Sequence, residues 1–309
     1  MGVSKFEDLG GESWKILRLP EKDDVKWSAF NPSIAYSPED GYVVLFRSSN
    51  YFLDPNTTEA KLTLGATVKS RMWLGTLSNS WEIEDLREID FSDAGIQFKR
   101  GAEDGRLYWV DGAWELTAGL KEPSVPLPRI GRFRLDGLKA KLVEIYEDGP
   151  LYDVEKNWAA PVGGSPEFDY VYNPVSVYKR GIGPVAVREV SDLVRDVRGG
   201  SQLWPIGGGY LSIIHDVTVD VRYMYIPRYF SYRNVKFRDY RHRFAKYDQN
   251  GKLIALSKIF KLSDARIEFA AGLVITDQND VLVSYGYKDV ASYLGKISLE
   301  KVLSMLEEV

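Results

Sequence analysis

One local pattern occurs five times along this 309-residue chain and limits what it can fold into. A β-rich run is followed by a short polar or glycine-containing turn, then a second β-rich run. The instances are YSPEDGYVVLF (36–46), LYWVDGAWELT (107–117), SVYKRGIGPVAV (176–187), LWPIGGGYLSII (203–214) and LVITDQNDVLVSY (273–285). Asp-Gly, Gly-Gly and Asn-Asp between such runs mark hairpins, because tight turns need residues that accept positive φ. Further strand pairs fit between them, as in HRFAKYDQNGKLIALSKIF around Asn250-Gly251. The spacing is uneven, and periodicity leaves two all-β architectures open: a five-bladed β-propeller and a β-sandwich with long loops. Roughly four strands in each of five blades would consume this length.

Helix signals are nearly absent until the end. There Ser298 can cap LEKVLSMLEEV, whose Leu299, Val302, Leu303 and Leu306 share one face, so residues 298–309 are expected to form a closing helix. No Ser/Gly/Pro linker divides the chain, and EPSVPLP (122–128) reads as a loop. The expectation is one propeller domain over residues 1–309, with 1–28 joining the blades.

Composition excludes several classes of function. With 44% hydrophobic and 27% charged residues, the chain can bury a sizeable core. A net charge of −4 argues against coating nucleic acid or an anionic membrane. The absence of cysteine excludes a disulfide, a thiolate nucleophile and a cysteine metal site, in keeping with a cytoplasmic protein. The N-terminus lacks the apolar run of a signal peptide, and no stretch approaches the ~20 apolar residues that span a bilayer. Aromatics are abundant, with 19 Tyr, 8 Trp and 13 Phe. They favour strands and also cover the apolar faces of sugars, and composition does not separate the two.

Polar residues recur where the β-rich runs begin or end. They are Asn31-Pro32 with Arg47, Gly101-Ala102-Glu103-Asp104-Gly105-Arg106, Glu155-Lys156-Asn157-Trp158 and Asn173-Pro174. Arg198-Gly199-Gly200-Ser201, His215, His242-Arg243, Glu268 and Asp289 continue the series. In a propeller the inner strands end at a central funnel, where such residues converge.

The segments FNPSIAY…VLFR, GAEDGR, EKNW, YNP, RGGSQ…GGGYLSIIHDV, YRHRF, EFAAGL and VSYGYKDVASYL run from about residue 30 to 295. In their order and spacing the chain resembles the β-mannoside phosphorylases and hydrolases of glycoside hydrolase family 130. It is also similar to the related five-bladed glycosyltransferase-phosphorylases, including propeller modules of bacterial and phage glycosyltransferases. The resemblance implies a five-bladed propeller acting on glycosides, with mannose as the sugar. The general acid of that family lies in a Gly-x-Glu-Asp-Pro-Arg motif, which carries over to Asp104. Gly105 replaces the family's proline, a departure expected to loosen the loop. The local alternative is an Asp capping a turn before a strand that starts at Leu107.

Glycosidic cleavage needs a proton on the leaving oxygen and a nucleophile at the anomeric carbon. An inverting hydrolase needs a second carboxylate as base, for which Glu103, Glu268 and Asp289 are candidates. Strand alternation should turn Glu103 away from Asp104, and Glu268 more readily orients a hydroxyl or anchors an arginine. A phosphorylase needs cations instead. Arg47, Arg106, Lys156, Arg198, His215, His242 and Arg243 form a candidate set for phosphate, a sugar 1-phosphate or a nucleotide-sugar diphosphate. Any one arginine alone more often serves a salt bridge. Asn31, Asn157, Asn173, Ser201 and Asp289 can hold sugar hydroxyls, and Trp158, Tyr172 or Tyr225 can stack on a ring, although such aromatics more often pack inside a blade. The two histidines suit phosphate or sugar better than a metal, and no cofactor is expected. Gly207-Gly208-Gly209 joins two strands and is a turn, not a phosphate cradle.

The leading expectation is an inverting enzyme of phosphorolysis or glycosyl transfer. Hydrolysis is the alternative within enzymes; a non-catalytic glycan-binding propeller, such as a phage-associated one, is the alternative of another class. The basic, aromatic stretch RYFSYRNVKFRDYRHR (228–243) fits a solvated long hairpin, with an acidic glycan or single-stranded nucleic acid as further readings.

Overall fold

Each of the five hairpins lies in a different antiparallel sheet. The computed structural model describes residues 3–16, 27–53, 60–63, 67–122, 129–146, 157–165, 170–173, 176–179, 182–186, 197–226 and 231–309. The first sheet is ordered Ser28–Ser37, Gly41–Ser49, Ser70–Leu77, Ile83–Glu88. The second runs Glu103–Val110, Ala113–Leu120, Arg129–Asp136, Lys139–Tyr146. The third contains Tyr170–Asn173, Ser176–Lys179 and Gly183–Ala186. The fourth is built on two strands of 18 residues, Gly209–Ile226 and Ser231–Asp248, flanked by shorter ones. The fifth contains Glu268–Ile275, Asp280–Tyr287 and Ala291–Ser298. The turn chemistry is as the sequence predicts: Asp111 and Gly112, between the first strands of the second sheet, have φ of 49° and 71°.

Apolar packing shows how the sheets are arranged. Among the described residues there are five buried clusters, one between each sheet and the next. Leu45 and Met72 meet Leu107 and Phe133 between the first and second sheets. Tyr146 meets Trp158 and Tyr178 between the second and third. Val177 meets Leu203 and Tyr247 between the third and fourth. Ile213 and Phe244 meet Leu273 and Val283 between the fourth and fifth. The last cluster joins Val274 and Leu282 of the fifth sheet to Ile34 and Phe46 of the first. Two stacked sheets would share one interlayer core. Five interfaces that return to the first sheet make a closed ring of blades, which excludes the sandwich.

The chain's first strands fasten this ring. Glu12–Lys15 pairs with Ala291–Ser298 and completes the fifth sheet, and Ser4–Lys5 pairs with Phe260–Lys261 in the fourth. Between them Phe6 is fully buried, with its N–H donating to Lys261 O at 2.7 Å. The C-terminal end corrects an expectation. Ser298 does cap a helix, accepting from Lys301 N at 3.3 Å, but the helix covers only Leu299–Ser304. Residues Leu306–Glu308 instead pair as a strand with Ala255–Ser257, and Leu303 is exposed. Edge pairing against the fourth sheet satisfies their backbone.

Phe6 shows what the fastening contributes. Phe6→Ala is expected to destabilise the protein by about 3–5 kcal/mol, read as a lowered urea midpoint. A change below about 1 kcal/mol would show that the N-terminal strands do not hold the ring.

Candidate active site

Four of the candidate side chains share a backbone feature that strands do not normally allow. Asn31, Asp104, Asn157 and Asp289 have φ of 50°, 48°, 60° and 53°. Asn and Asp tolerate this left-handed region better than other side chains. At Asn31 and Asp104, inside strands Ser28–Ser37 and Glu103–Val110, it breaks the strand alternation, whereas Asp289 lies in the turn after Tyr287 and Asn157 lies outside any strand. The pairing of the first two strands slips between Phe30 and Ser33, and that of the second sheet between Thr117 and Gly119, opposite Glu103 to Arg106.

This overturns two expectations. Glu103 does not point away from Asp104: both reach one guanidinium, that of Arg47, at 3.3 Å and 2.9 Å. Gly105 does not loosen a loop. It lies inside strand Glu103–Val110, where a Cβ would stand 2.5 Å from Leu45 Cδ2 and 3.1 Å from Met72 Cε. Since the strand begins at Glu103, Asp104 is not a turn cap before Leu107. Gly286 is equally constrained, because a Cβ there would be 2.2 Å from Asn31 Oδ1.

Asp104 Oδ1 accepts from Asn31 Nδ2 at 2.8 Å and from Arg47 Nη1 at 2.9 Å. Arg47 Nε donates to Ser70 Oγ at 3.0 Å, and its guanidinium lies over the Phe30 ring at 5.2 Å. Burial opposes the charge on Arg47, but Asp104, Tyr51 and Glu103 outweigh it and raise its pKa. Glu103 also takes Lys121 Nζ at 3.1 Å. Arg106 is different. It is 2% exposed and donates to Gly200 O at 2.9 Å, to Asn157 Oδ1 at 2.9 Å and to Asp104 O, with Phe269 beneath it. Burial pushes its pKa down to about 10, with Asp104 only partly offsetting this, so it stays charged at neutral pH.

A cavity of about 280 Å³ opens among these groups. Of the predicted residues it brings together Asn31, Arg47, Glu103, Asp104, Asn157, Arg198, His215 and Asp289. Sequence reasoning missed Tyr51, whose OH donates to Asp289 Oδ2 at 2.9 Å, as well as Lys121, Arg238 and Tyr240. Burial and the neighbouring Asp289 raise the Tyr51 pKa, keeping it a phenol. Arg238 and Tyr240 were legible only as members of the basic, aromatic stretch. Among the described residues neither Arg198 nor Arg238 is ion-paired.

Five other candidates are structural. Arg106 is engaged as above and does not line the cavity. Arg243 pairs with Asp216 at 3.0 Å and donates to Ser257 O at 3.1 Å. Ser201 is fully buried and bonds Gln202 O and Ser212 Oγ. Glu268 is closed off by Leu262 N–H at 2.7 Å and by Ser263 N–H and Oγ at 2.8 and 2.6 Å. His242 is fully buried, accepting from Ala270 N with Nε2 and facing Glu268 at 3.4 Å with Nδ1. In each case the side chain is engaged by buried backbone or a neighbouring side chain, although His242 Nδ1 makes no hydrogen bond. Trp158 is 1% exposed and packs between Tyr146 and Tyr178, so it stacks on no sugar. Lys156 and the side chains of Asn173, Tyr172 and Tyr225 lie outside the described residues.

A larger hollow, about 810 Å³, lies beyond Ser70 and Gly101. Its carboxylates, Glu88 and Asp90, are exposed and already engaged by Arg71 and by Ser92 N–H. The half-buried Asp104 and the cations around it line the smaller cavity.

Neither a protein-family model nor a curated protein sequence matches the chain. Solved structures match its fold. A β-1,2-mannobiose phosphorylase from Listeria innocua, in complex with β-1,2-mannobiose, gives a TM-score of 0.58 at 12% identity, covering 93% of this chain and 94% of that one. A GDP-Man-dependent mannosyltransferase from Leishmania mexicana gives 0.55 at 14% identity, over 93% and 89%. A mannose phosphorylase from the same organism, in complex with a phosphate ion, gives 0.51 at 10% identity, over 98% and 93%. The chain shares their fold. At these identities the likeness is architectural.

The floor of the cavity predicts a pH dependence. Burial, then His242, Arg106 and Arg198, hold His215 well below the usual imidazole range, so it is neutral at pH 7. The unfolded chain takes up a proton as pH falls through about 6.5, and the folded chain does not until lower pH. Stability present above that point is therefore lost as pH falls below it, by up to about 1.4 kcal/mol per unit. Urea unfolding should show this slope between neutral pH and pH 5, and His215→Asn should flatten it by about one proton. An unchanged slope in the variant would exclude His215 as its source.

Proposed function

We propose that the chain is a carbohydrate-active enzyme that makes or breaks a glycosidic bond with inversion, using an anionic co-substrate such as phosphate or the phosphate of a sugar donor. The observation that carries this is a carboxyl, Asp104, held in a cavity beside two arginines, Arg198 and Arg238, that no described carboxylate neutralises. Two fixed donors address Asp104 Oδ1 and hold the carboxyl in place. In phosphorolysis a phosphate oxygen bonds to the anomeric carbon as the glycosidic C–O bond breaks. The leaving oxygen takes the Asp104 proton, and the products are a sugar 1-phosphate and a free hydroxyl. Glycosyl transfer runs the same exchange in reverse, with Asp104 accepting the acceptor's proton.

A cavity of 280 Å³ is at the small end for ligand sites, which favours a single sugar ring at the reacting position. Mannose is the sugar suggested by the substrates of the proteins that share the fold. Asn31, Asn157 and Asp289 would hold its hydroxyls. Hydrolysis is the second reading, because Asp289 supplies another carboxylate to the same cavity, whereas Glu268 is closed off. We further read the ring of blades as one domain. No helix among the described residues is long and apolar enough to cross a membrane, and the lack of cysteine favours a cytoplasmic setting.

Asp104→Asn keeps an acceptor for Asn31 and Arg47 but loses the proton. It should lower kcat for phosphate-dependent release of mannose 1-phosphate from β-mannobiose by about 10²–10⁴-fold with the thermal midpoint little changed. Wild-type rates in a folded variant would remove the mechanism. Arg198→Met should raise KM for phosphate by at least about tenfold and leave KM for the sugar nearly constant, since a charge-assisted contact contributes about 1.5–3 kcal/mol. Equal activity with and without phosphate would shift the reading to hydrolysis.

A further inference from the structure

The fourth sheet contains a feature that chemistry in the cavity does not use. Its two long strands pair from Gly209↔Asp248 to Ile226↔Ser231. Other strands reach only the inner half: Val197–Arg198 opposite Asp216–His215, Trp204–Ile206 opposite Leu211–Gly209, Leu253–Leu256 opposite Tyr247–Ala245, and Phe260 opposite His242. Outward from Val217 and Tyr240 the two strands pair only with each other among the described residues. A two-stranded ribbon is marginal in water unless its faces are covered.

One face is covered at Phe237 and Asp239, while Thr218, Asp220 and Arg222 on the same side are exposed. Directly opposed residues share a face, so Asp220 and Phe237 stand on the same side as Arg222 and Asp239. Phe237 is buried under the guanidinium groups of Arg222 and Arg266, at 5.1 and 5.4 Å, and Asp239 takes Lys261 Nζ at 2.7 Å. The opposite face is open. It begins with His215, Tyr240 and Arg238, which line the cavity, and continues through Val219, Val221 and Tyr223, which are 52%, 52% and 70% exposed. Cavity wall and apolar stripe are thus one continuous surface. At about 3.4 Å per residue the stripe carries it about 14 Å outward from Val219 to Tyr223, two or three sugar rings in length.

We propose that this face is a platform for an oligosaccharide whose reacting end occupies the cavity. Tyr223 presents a ring for the apolar face of a distal sugar, and Val219 and Val221 line the path between. The inference rests on the carbohydrate reading of the cavity. By register the face carries two cations, Arg238 opposite Val219 and Lys236 opposite Val221, against the apolar or aromatic Val219, Val221 and Tyr223, and the chain's net charge is −4, which fits a glycan better than a polyphosphate strand.

The test compares kcat/KM for a β-mannan disaccharide and hexasaccharide with inorganic phosphate, in the wild type and in Tyr223→Ala and Val221→Ser. The wild type should prefer the hexasaccharide. Each variant should lower that preference by about three- to tenfold through KM, the size of one lost aromatic contact. Arg222→Ala, on the opposite face, should preserve it. Turnover with no dependence on chain length, or variants that keep the wild-type ratio, overturn the platform while leaving the cavity's reading intact. A changed oligomeric state in Tyr223→Ala with an unchanged ratio assigns the face to a second copy and also overturns it. Failure to turn over either length, with retention of single-stranded oligonucleotide instead, overturns both readings.

Discussion

The buried guanidinium of Arg47 is the contact around which the site is organised. It belongs to the first blade and bonds two consecutive acids of the second, Glu103 and Asp104. A buried charge is tolerable only when its donors are matched by acceptors, and removing one partner is costly because the other is left uncompensated. That requirement locks the two blades in register at the cavity. It also holds the carboxyl of Asp104 in place. Arg106 repeats the device on the far side, joining the Asp104 backbone to Asn157 and Gly200.

These two arginines divide the basic residues into two kinds. Arg47 and Arg106 have their donors turned onto the protein and act as struts. Arg198 and Arg238 reach the cavity without a described carboxylate partner, which makes them the residues able to neutralise an anion. A charged residue near a site is therefore not equivalent to a charged residue for the ligand. Only the count of its existing partners separates the two.

Much of the architecture was readable before any coordinates. Asp-Gly and Asn-Asp between β-rich runs specify hairpins through local φ preferences, so all five hairpins and the all-β class follow from neighbouring residues. Asp104, Asn31, Asn157 and Asp289 were also legible, as acids and amides beside the ends of β-rich runs within the segments that carry the family resemblance. The failures have two causes. Regular alternation puts Glu103 on the wrong side because it does not hold across a residue with φ of 48°. Glu268, Ser201, His242 and Arg243 look like site residues in one dimension, yet they are engaged by backbone and side chains that folding brings up to them.

Local chemistry along the chain settles where it turns and which stretches become strands, since hairpin formation depends on contacts a few residues apart. It also places acids and cations at the ends of the β-rich runs. Which of those acids faces a cavity, which arginines remain unpaired, and that Tyr51, Lys121, Arg238 and Tyr240 join them all depend on contacts between blades up to some 250 residues apart in the chain, as between Tyr51 and Asp289. Such contacts carry no local signature, because the partner that satisfies or leaves open a buried polar group is chosen by the closure of the ring.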